Sequence, residues 1–346
     1  MFNQDIKISI GLVTYNRISL LKEAINSILD QEYKNIEVII SNDYVEEPLS
    51  LIDLGIISDN RFRLVNQRTN LGELENMNYV LKQATGDWFT WLGDDDLFHP
   101  RFLITMRSIL ANKNTSYLSA IYTDYFTGNQ TPISWSANED VNCSSFDQLT
   151  FPLVYTGREI KMIGCYGLIR TKALKLIGGM PCLGSSFGPY GDTLVPLLLS
   201  QCGQIIYCHS KLLFLRTHPG SLSCSTTDLQ AYRTASKDFL SRIDFLYQAP
   251  SFPRVLVNKV TLNMLTWFSV DEWAILSRNP SVKLFEKISI FTRNLRVVNF
   301  PKLNTVNKVV YLSFLVKMTI RSSLKLLIQG LRKLVSHISG GSRWSL

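Results

Sequence analysis

The chain has 346 residues, of which 46% are hydrophobic and 18% are charged, and its formal net charge is +8. This composition is ordinary for a globular protein and excludes a low-complexity chain. The length allows one large domain, or one domain with a substantial appendage, because single cores stop growing near about 250 to 300 residues.

The positive charge is concentrated at the C-terminal end. From Ser281 onward the chain has twelve Lys or Arg residues and one acid, Glu286, so this tail carries +11 and residues 1 to 280 carry −3. The basic surplus is therefore a property of the tail.

Cysteine usage predicts reduced thiols. The six cysteines have no Cys-x-x-Cys spacing and occupy positions 143, 165, 182, 202, 208 and 224. The N-terminus lacks a signal-peptide pattern, because Met1 to Asp5 lead directly into a predicted strand. We therefore predict a cytosolic protein without disulfides and without a zinc site.

The first 43 residues predict a β-α-β unit. Lys7 to Thr14 is an apolar run rich in β-branched residues, and apolar residues recur at helical spacing from Ser19 to Gln31. A second strand, Ile36 to Ser41, is closed by Asn42 and Asp43. A parallel strand pair joined in this way has a right-handed crossover.

The following residues repeat the alternation of strand and helix. Phe62 to Val65 predicts a short strand, Asn70-Leu71-Gly72 a turn, and Glu73 to Ala84 a helix. This pattern predicts the nucleotide-binding half of an α/β protein. No Gly-x-Gly-x-x-Gly follows the first strand and no Gly-Lys-Ser/Thr loop occurs, which argues against a dinucleotide oxidoreductase and a P-loop nucleotidase.

Three consecutive acids follow the next strand. Trp88 to Leu92 is bulky and apolar, and it leads through Gly93 into Asp94-Asp95-Asp96. Ligands of open α/β sheets bind just beyond the carboxyl ends of the strands. Adjacent carboxylates repel one another unless a positive group lies between them, and the obvious candidate is a hard divalent cation such as Mg²⁺ or Mn²⁺. A solvated acidic loop is the alternative.

A single acid marks the second half of the chain. Asp192 is the one acid between Glu159 and Asp228, and it precedes an apolar helix predicted over Leu194 to Leu199. A carboxylate in that position can act simply as a helix cap.

Strands are predicted at Ile205 to Cys208 and at Leu212 to Leu215, before a polar loop that begins Arg216-Thr217-His218. An arginine and a histidine in a loop are more often ordinary surface residues than ligands of a site.

Residues 225 to 346 predict a helical, basic extension that follows a domain spanning residues 1 to 224. Leu229 to Tyr247 and Val255 to Leu276 have helical periodicity, and Val309 to Val335 contains no acid. Basic residues interrupt the apolar span of the last segment, so a transmembrane helix is not predicted. A basic amphipathic helix on an anionic inner leaflet is favoured over a solvated appendage or dimer face. No nucleic-acid partner is predicted, because no recognised nucleic-acid module is present.

Four motifs together resemble the family 2 inverting glycosyltransferases. They are Ile8 to Arg17, Glu37 to Asp43, Asn70 to Gly72, and Trp91 to Asp96 with Pro100. Each motif is weak alone, but their order and spacing match the family, and the resemblance covers about residues 6 to 223. It implies the GT-A fold, an α/β fold with a mostly parallel central sheet, here followed by the C-terminal helical extension.

The resemblance also implies roles for individual residues. Asp192 matches the catalytic base, and Asp43 matches the acid that bonds the base of the nucleotide, typically uracil. The implied metal ligands are Asp95, Asp96 and His218. The implied donor-binding residues are Thr14, Asn16, Asp43, Asn70, Gly72, Asp94 and Arg216.

Some positions depart from the family pattern. Asn42 precedes Asp43 where a second acid is frequent. Gly93 occupies the first acidic position of Asp-x-Asp-Asp, normally near the ribose, and Gly191 replaces the Glu that often precedes the catalytic Asp.

The sequence therefore predicts a metal-dependent inverting glycosyltransferase that uses Mg²⁺ or Mn²⁺. The resemblance implies a UDP-sugar donor, a glycan or lipid-linked glycan acceptor in surface polysaccharide synthesis, and a cytoplasmic enzyme peripheral to the inner face of the plasma membrane. A nucleotidyltransferase or a sugar-phosphate enzyme that uses the same acidic strand end is the rival, but such enzymes commonly need a Gly-rich basic loop near the N-terminus, which this sequence lacks. A catalytically decayed sugar-nucleotide-binding or scaffolding protein is the other alternative, for which Gly93 and Gly191 argue.

Overall fold

A computed structural model of the protein describes residues 6–112, 115–129, 141–184, 188–218, 226, 228–246 and 252–278. These residues fall into two compact units, divided between Phe252 and Pro253. The first unit contains the sheet and most of the helices.

The strands and helices of the described residues are as follows. The strands are β1 (Ile8–Thr14), β2 (Ile36–Asn42), β3 (Phe62–Asn66), β4 (Trp88–Gly93), β5 (Leu97–Phe98), β6 (Leu118–Gly128), β7 (Cys143–Phe146), β8 (Leu168–Arg170) and β9 (Gln204–Arg216). The helices are α1 (Ile18–Leu29), α2 (Glu73–Gln83), α3 (Phe102–Asn112), α4 (Thr150–Thr156), α5 (Thr171–Leu176), α6 (Gly191–Cys202), α7 (Leu229–Leu246) and α8 (Arg254–Arg278).

The strands form one sheet in the order β3-β2-β1-β4-β8-β6-β9-β5, with β7 paired to β9. The first four strands of this order are mutually parallel, as predicted. The other half is mixed, because β8 is antiparallel to both of its neighbours while β6 and β9 are parallel. The predicted α/β fold with a central sheet is confirmed, and its parallel part is the N-terminal half.

The apolar runs of β1, β2 and β4 form the core of the first unit. Nearly every residue of these strands is buried, as expected for parallel strands covered by helices on both faces. Helix α1 buries Leu21, Ala24, Ile25 and Ile28, which share one face because they are spaced three or four residues apart.

The strand register brings the ends of the parallel strands together. Thr14 of β1 pairs with Asn42 of β2, and Val13 pairs with Gly93 of β4. The polar residues that follow these strands therefore share one edge of the sheet, where ligands of open α/β sheets bind.

The segment around β9 differs from the prediction of two strands. Residues 204 to 216 form one strand, and its register against β6 shifts where Thr123 pairs with Cys208 and Asp124 with Lys211. The polar pair His209-Ser210 is thus accommodated by a bulge within a continuous strand. The bulge resembled a loop in the sequence because both features interrupt an apolar run with polar residues.

Helix α7 lies in the first unit, although it follows the boundary predicted after residue 224. It packs against the segment that leads into α6, since the centroid of the Tyr190 ring lies 5.4 Å from that of Tyr232 and 6.4 Å from that of Phe239. The guanidinium of Arg242 also donates to the Cys182 carbonyl at 3.0 Å. Helix α7 therefore supports the start of α6 from outside.

In the second unit the structure describes α8, which confirms the helix predicted over Val255 to Leu276. The basic segment Val309 to Val335 lies outside the described residues. None of the described helices has the length and apolar character needed to cross a bilayer.

Glu37 links β2 to the start of β4 at the edge opposite the predicted site. Its carboxylate accepts from the Ser9 hydroxyl at 2.6 Å, the Thr85 amide at 2.6 Å and the Gly86 amide at 3.2 Å, and it pairs with Lys7 at 3.3 Å. Burial by itself raises the pKa of Glu37, but the hydrogen bonds outweigh it and lower the pKa to about 2.

We expect Glu37→Gln to lower the free energy of unfolding by about 1 to 3 kcal/mol at pH 7, because the neutral amide is a weaker acceptor and replaces one acceptor oxygen with a donor. The folded-state pKa is below the ordinary value of 4.5, so this stabilisation is present above pH 4.5 and is lost as the pH falls towards 2. Urea titrations at pH 7 and pH 3 measure it. Glu75→Gln on the exposed face of α2 is the control, and equal losses in the two variants would contradict the assignment.

Candidate active site

Asp94, Asp95 and Asp96, here called the acidic turn, lie between β4 and β5 at the ligand-binding edge of the sheet. Asp94 and Asp96 are buried, whereas the Asp95 side chain keeps 18% of its surface exposed. The middle carboxylate is therefore the most exposed of the three.

Asp94 is held by the residues that follow β1. Its Oδ2 accepts from the Thr14 hydroxyl at 2.7 Å and from the Tyr15 amide at 3.4 Å. Its Oδ1 pairs with the Arg17 guanidinium at 3.2 Å. Thr14, predicted as a donor-binding residue, thus joins the end of β1 to the acidic turn.

Asp95 lies between two positively charged or polar groups. Its Oδ2 is 2.9 Å from Arg17 Nη1 and 3.0 Å from His218 Nε2. The positive group between the first two acids is therefore the Arg17 guanidinium, where the sequence alone had suggested only a divalent cation. Arg17 was missed as a site residue, although it follows Asn16 in the turn after β1 and so lies at the same edge as the acids.

Asp96 faces the interior and joins the acidic turn to two other segments. Its Oδ1 accepts from the Arg216 amide at 2.9 Å, and its Oδ2 accepts from the Tyr166 hydroxyl at 2.7 Å. Both oxygens are occupied by protein donors, so Asp96 is less available to a metal ion than Asp95.

Burial perturbs the acidity of the two inner carboxylates. Loss of hydration raises the pKa of Asp94 to about 6, against the opposing effect of Arg17. Burial and the neighbouring Asp95 charge raise the pKa of Asp96 to about 7, although Tyr166 and the Arg216 amide oppose this. Perturbed carboxylates clustered in a cleft are typical of functional sites.

The side chains of Asp95 and His218 suit a divalent cation. Asp95 and His218 are both partly exposed and converge within 3.0 Å, which brings one carboxylate oxygen beside one imidazole nitrogen. No cluster of three His, Cys, Asp or Glu side chains arranged to hold a metal occurs in the described part of the chain. Two protein ligands are enough where substrate phosphates complete the shell, as is usual for Mg²⁺.

Asp43, Asn70 and Gly72, all predicted as donor-binding residues, lie together at the turn before α2. The Asp43 carboxylate accepts from the Leu71 amide at 2.7 Å and the Gly72 amide at 2.8 Å, and Asn70 Oδ1 also accepts from the Gly72 amide at 2.9 Å. Gly72 has φ +80°, in the left-handed region, which explains the glycine. Asp43 therefore shapes the turn before α2 in addition to any contact with a nucleotide.

Asn16 also lies at this edge, with φ +54° in the turn between β1 and α1.

Arg216 contributes its guanidinium to the site region in addition to its backbone amide. Its Nη1 pairs with Glu23 at 2.9 Å, while Nε and Nη2 are buried and have no partner among the described residues. Buried guanidinium donors without acceptors are costly, so an anionic ligand would stabilise this arrangement.

Asp192 lies in the first turn of α6 and not at its N-cap, which is Tyr190. Burial raises the pKa of Asp192, opposed by hydrogen bonds from Thr193. The charges of Asp192 and Asp96 both raise the pKa of the buried Cys165 thiol, so the two acids lie within electrostatic reach of the same residue. Asp192 and the acidic turn therefore both act on the electrostatic environment of Cys165.

Glu73, at the start of α2, is a second residue that sequence reasoning missed. Burial raises its pKa, the Arg17 charge opposes this, and the charges of Asp192, Asp95 and Asp94 raise it further. Glu73 is therefore within electrostatic reach of both groups of acids. Its position directly after Gly72 is the signal that was available in the sequence.

Comparison with known proteins decides the family. Residues 9–175 match the sequence model described as glycosyl transferase family 2. The chain carries a family 2 glycosyltransferase domain. This domain contains the acidic turn, Asp43 and Gly72, while Asp192 and His218 lie beyond the matched residues.

Curated relatives are also glycosyltransferases by name. An uncharacterised glycosyltransferase of Rickettsia typhi is 26% identical over 240 residues, which cover 68% of this chain and 72% of that protein. One from Rickettsia bellii is 35% identical over 111 residues, covering 31% of this chain and 16% of that protein. The GalNAc(5)-diNAcBac-PP-undecaprenol beta-1,3-glucosyltransferase of Campylobacter jejuni is 37% identical over 92 residues, covering 26% of this chain and 30% of that protein. The last two matches span less than a third of the relatives' own length.

Solved structures show the same fold as the glycosyltransferase domain. Residues 1–349 of TarS from S. aureus superpose with a TM-score of 0.59 at 17% identity, covering 84% of this chain and 79% of that one. The mannosyltransferase PcManGT from Pyrobaculum calidifontis, in complex with GDP-Man and Mn²⁺, gives a TM-score of 0.50 at 12% identity, covering 92% and 88%. The fold is GT-A, as predicted.

We expect Arg17→Gln to destabilise the glycosyltransferase in EDTA by about 1 kcal/mol, a small value because Arg17 is partly exposed. The variant removes the guanidinium that pairs with both Asp94 and Asp95. Added Mn²⁺ should therefore raise its melting temperature more than it raises that of the wild type. Differential scanning fluorimetry measures both effects. Arg242→Gln, which breaks an exposed ion pair with Asp238, is the control, and an equal Mn²⁺ response in the two variants would contradict the expectation.

Proposed function

We propose that the protein transfers a sugar from a nucleoside diphosphate sugar, UDP-linked, to a hydroxyl of a glycan or lipid-linked glycan, with inversion at the anomeric carbon. The observation that supports this best lies at the ligand-binding edge of a GT-A sheet, where Asp95 meets His218 and the adjacent Asp96 accepts from the Arg216 amide. Asp95 and His218 suit a cation, and the buried Nε and Nη2 donors of Arg216 suit an anion, which is the combination that a diphosphate requires.

The donor assignment is supported by the relatives. TarS has been crystallised with UDP and with UDP-GlcNAc. The C. jejuni relative is named as a glucosyltransferase acting on a glycan linked to PP-undecaprenol. In this chain, Asp43 would contact the base, and Thr14 and Asn16 would line the nucleotide beside the turn formed by Asn70 and Gly72.

The bound cation would be Mg²⁺ or Mn²⁺, held by Asp95 and His218, with Asp96 supporting Asp95 from within. It would supply Lewis-acid stabilisation to the departing diphosphate. Arg17 lies against the same Asp95 oxygen, so its guanidinium either shares that carboxylate with the cation or moves aside. Arg216 would add hydrogen bonds to the phosphate oxygens.

Asp192 would act as the general base. The acceptor hydroxyl gives its proton to the Asp192 carboxylate while the acceptor oxygen bonds to the anomeric carbon. The bond from that carbon to the diphosphate breaks, and its electron pair leaves with UDP. Attack from the face opposite the leaving group inverts the centre, and a pKa raised by burial suits a base that works near neutral pH.

The two glycines that argue for a decayed protein have packing reasons. A Cβ at Gly93 would lie 2.6 Å from the Tyr166 hydroxyl, and one at Gly191 would lie 2.9 Å from the Pro181 carbonyl. Both sites lack room for a side chain in this fold. Their glycines are therefore compatible with activity.

We expect Asp192→Asn to lower the rate of sugar transfer by about 10²- to 10⁴-fold, the usual contribution of a general base, with donor affinity unchanged. The assay measures UDP release from UDP-glucose and UDP-GlcNAc with Mn²⁺ and a synthetic polyprenyl diphosphate glycan. Asp238→Asn on α7 is the control acid. Wild-type-like transfer by Asp192→Asn would rule out Asp192 as the base, and no turnover by the wild type with any donor would refute the function.

The location at the membrane is proposed from charge. The tail from Ser281 onward carries +11, and each Lys or Arg near an anionic leaflet contributes about 1 kcal/mol of attraction. We propose that this tail keeps the enzyme on the inner face of the plasma membrane, near lipid-linked acceptors.

Flotation with liposomes tests the membrane proposal. The full chain should float with vesicles containing phosphatidylglycerol at low salt and should be released by about 0.5 M NaCl, since salt screens exposed charges. Vesicles of neutral phosphatidylcholine are the control. Equal recovery with neutral and anionic vesicles would remove the electrostatic argument.

A further inference from the structure

The backbone at Gly164 touches the first turn of α6. A Cβ at this position would lie 1.7 Å from the Asp192 carbonyl oxygen and 2.8 Å from Pro196 Cδ. Real Cβ atoms never approach a carbonyl oxygen so closely, so any side chain at position 164 would displace the turn that carries Asp192. The absence of a side chain at Gly164 therefore determines where Asp192 lies.

Two residues later, Tyr166 touches the acidic turn. Its hydroxyl donates to Asp96 Oδ2 at 2.7 Å and accepts from the Gly93 amide at 3.1 Å. It also fills the space into which a side chain at position 93 would project. Tyr166 therefore fills the space of the side chain that Gly93 lacks, at the position of the first acid in the family motif. Its hydroxyl also connects the end of β4 to the acidic turn.

These two contacts are separated by a very short length of chain. Two residues of extended backbone span at most about 7 Å, so one segment fixes both Asp192 and Asp96 to a narrow range of separations. The segment is itself anchored from β6, because the buried Tyr122 hydroxyl donates to the Gly164 carbonyl at 3.1 Å. Gly167 leaves room for the Tyr122 ring, which lies 2.4 Å from where its Cβ would be.

We propose that Gly164 to Tyr166, here called the bridge segment, is the positioning element that sets the separation between Asp192 and the acidic turn. This inference rests on the proposed function, because it assigns each end of the segment to one half of the transfer reaction. The Gly164 end positions the proposed base, and the Tyr166 end positions the acidic turn, which would hold the cation that binds the diphosphate.

The two ends should therefore affect different kinetic constants. Displacing Asp192 moves the base relative to the acceptor hydroxyl and leaves donor binding intact, so it lowers kcat. Loosening Asp96 disturbs the neighbouring Asp95 and the Arg216 amide, so it weakens donor binding and raises the donor KM. A residue that served only stability would lower the melting temperature without this separation.

The test uses the full chain, UDP-glucose and UDP-GlcNAc as donors, and Mn²⁺. For Gly164→Ala we expect kcat to fall by about 10²-fold, the cost of misplacing a reacting group by about 1 Å, with donor affinity within about twofold of wild type. Tyr122→Phe removes the anchor of the Gly164 carbonyl without any steric clash, so it should show a smaller loss in kcat alone. It provides the test if Gly164→Ala does not fold.

For Tyr166→Phe we expect the affinity for the nucleotide sugar to fall by about tenfold. Asp96 Oδ2 loses its hydrogen-bond donor and the Gly93 amide loses its hydrogen-bond acceptor. Tyr207→Phe is the matched control, since the Tyr207 hydroxyl also makes one bond as donor and one as acceptor, to the backbone carbonyl and from the backbone amide of Lys161. It makes no contact with the site acids, so its donor affinity should equal that of the wild type.

The pair Gly93 and Tyr166 allows a test by rescue. Gly93→Ala should impair donor binding because its methyl meets the Tyr166 hydroxyl. In the Tyr166→Phe background that clash is relieved, although the methyl would still lie 3.0 Å from Asp95 Oδ1 and 3.3 Å from Asp96 Oδ2, so the double variant should lose less sugar-donor affinity than the two single losses added together. Losses that simply add would show that the two residues are not coupled.

The outcomes separate the inference from the function it rests on. If the wild type turns over, either of two results overturns the bridge proposal alone. One is an unchanged kcat in both Gly164→Ala and Tyr122→Phe. The other is equal affinity for the nucleotide sugar in Tyr166→Phe and Tyr207→Phe. A wild type that releases no UDP from any donor with any acceptor overturns the proposed function, and the bridge proposal with it.

Discussion

The site depends on the confinement of three neighbouring carboxylates at one strand end. Adjacent negative charges repel, and two of these three are buried, so the acidic turn is stable only because distant segments supply donors to it. Thr14 and Arg17 come from the residues at the end of β1, Tyr166 from the segment before β8, and the Arg216 amide and His218 from the end of β9. The turn thereby joins both halves of the sheet.

Each acid has a different environment, which divides the work among them. Asp94 and Asp96 are enclosed by protein donors and serve to hold the turn, whereas Asp95 is the partly exposed member and meets His218. Burying two carboxylates carries a cost in hydration. As a result, the partly exposed Asp95 carboxylate is held in a fixed position, as an active site requires.

The local motifs were predictable from the sequence because their chemistry and their spacing are local. The strand that ends at Gly93, the turn at Gly72 and the acids themselves could be recognised in short stretches. Arg17 was overlooked because a guanidinium beside a strand end has no distinctive pattern, although the shared sheet edge brings it to Asp95. The bulge at His209 also resembled a loop.

Contacts across long sequence separations were not predictable. Tyr166 contacts Asp96, 70 residues away in the sequence, and Gly164 contacts the backbone of Asp192, with β8 and α5 between them in the chain, so no periodicity in the sequence reports either contact. The packing of Gly93 against a phenol explains why a departure from the family pattern need not mean lost activity. Only the folded chain shows which neighbour fills the space of a missing side chain.

A crystal structure of the protein with UDP and Mn²⁺ would test the proposed site most directly. We expect the cation at Asp95 and His218, the diphosphate against the Arg216 guanidinium, and the Asp192 carboxylate across from them, facing the β-phosphate. A diphosphate bound away from the acidic turn, or an Asp192 side chain directed into solvent on another surface, would contradict it.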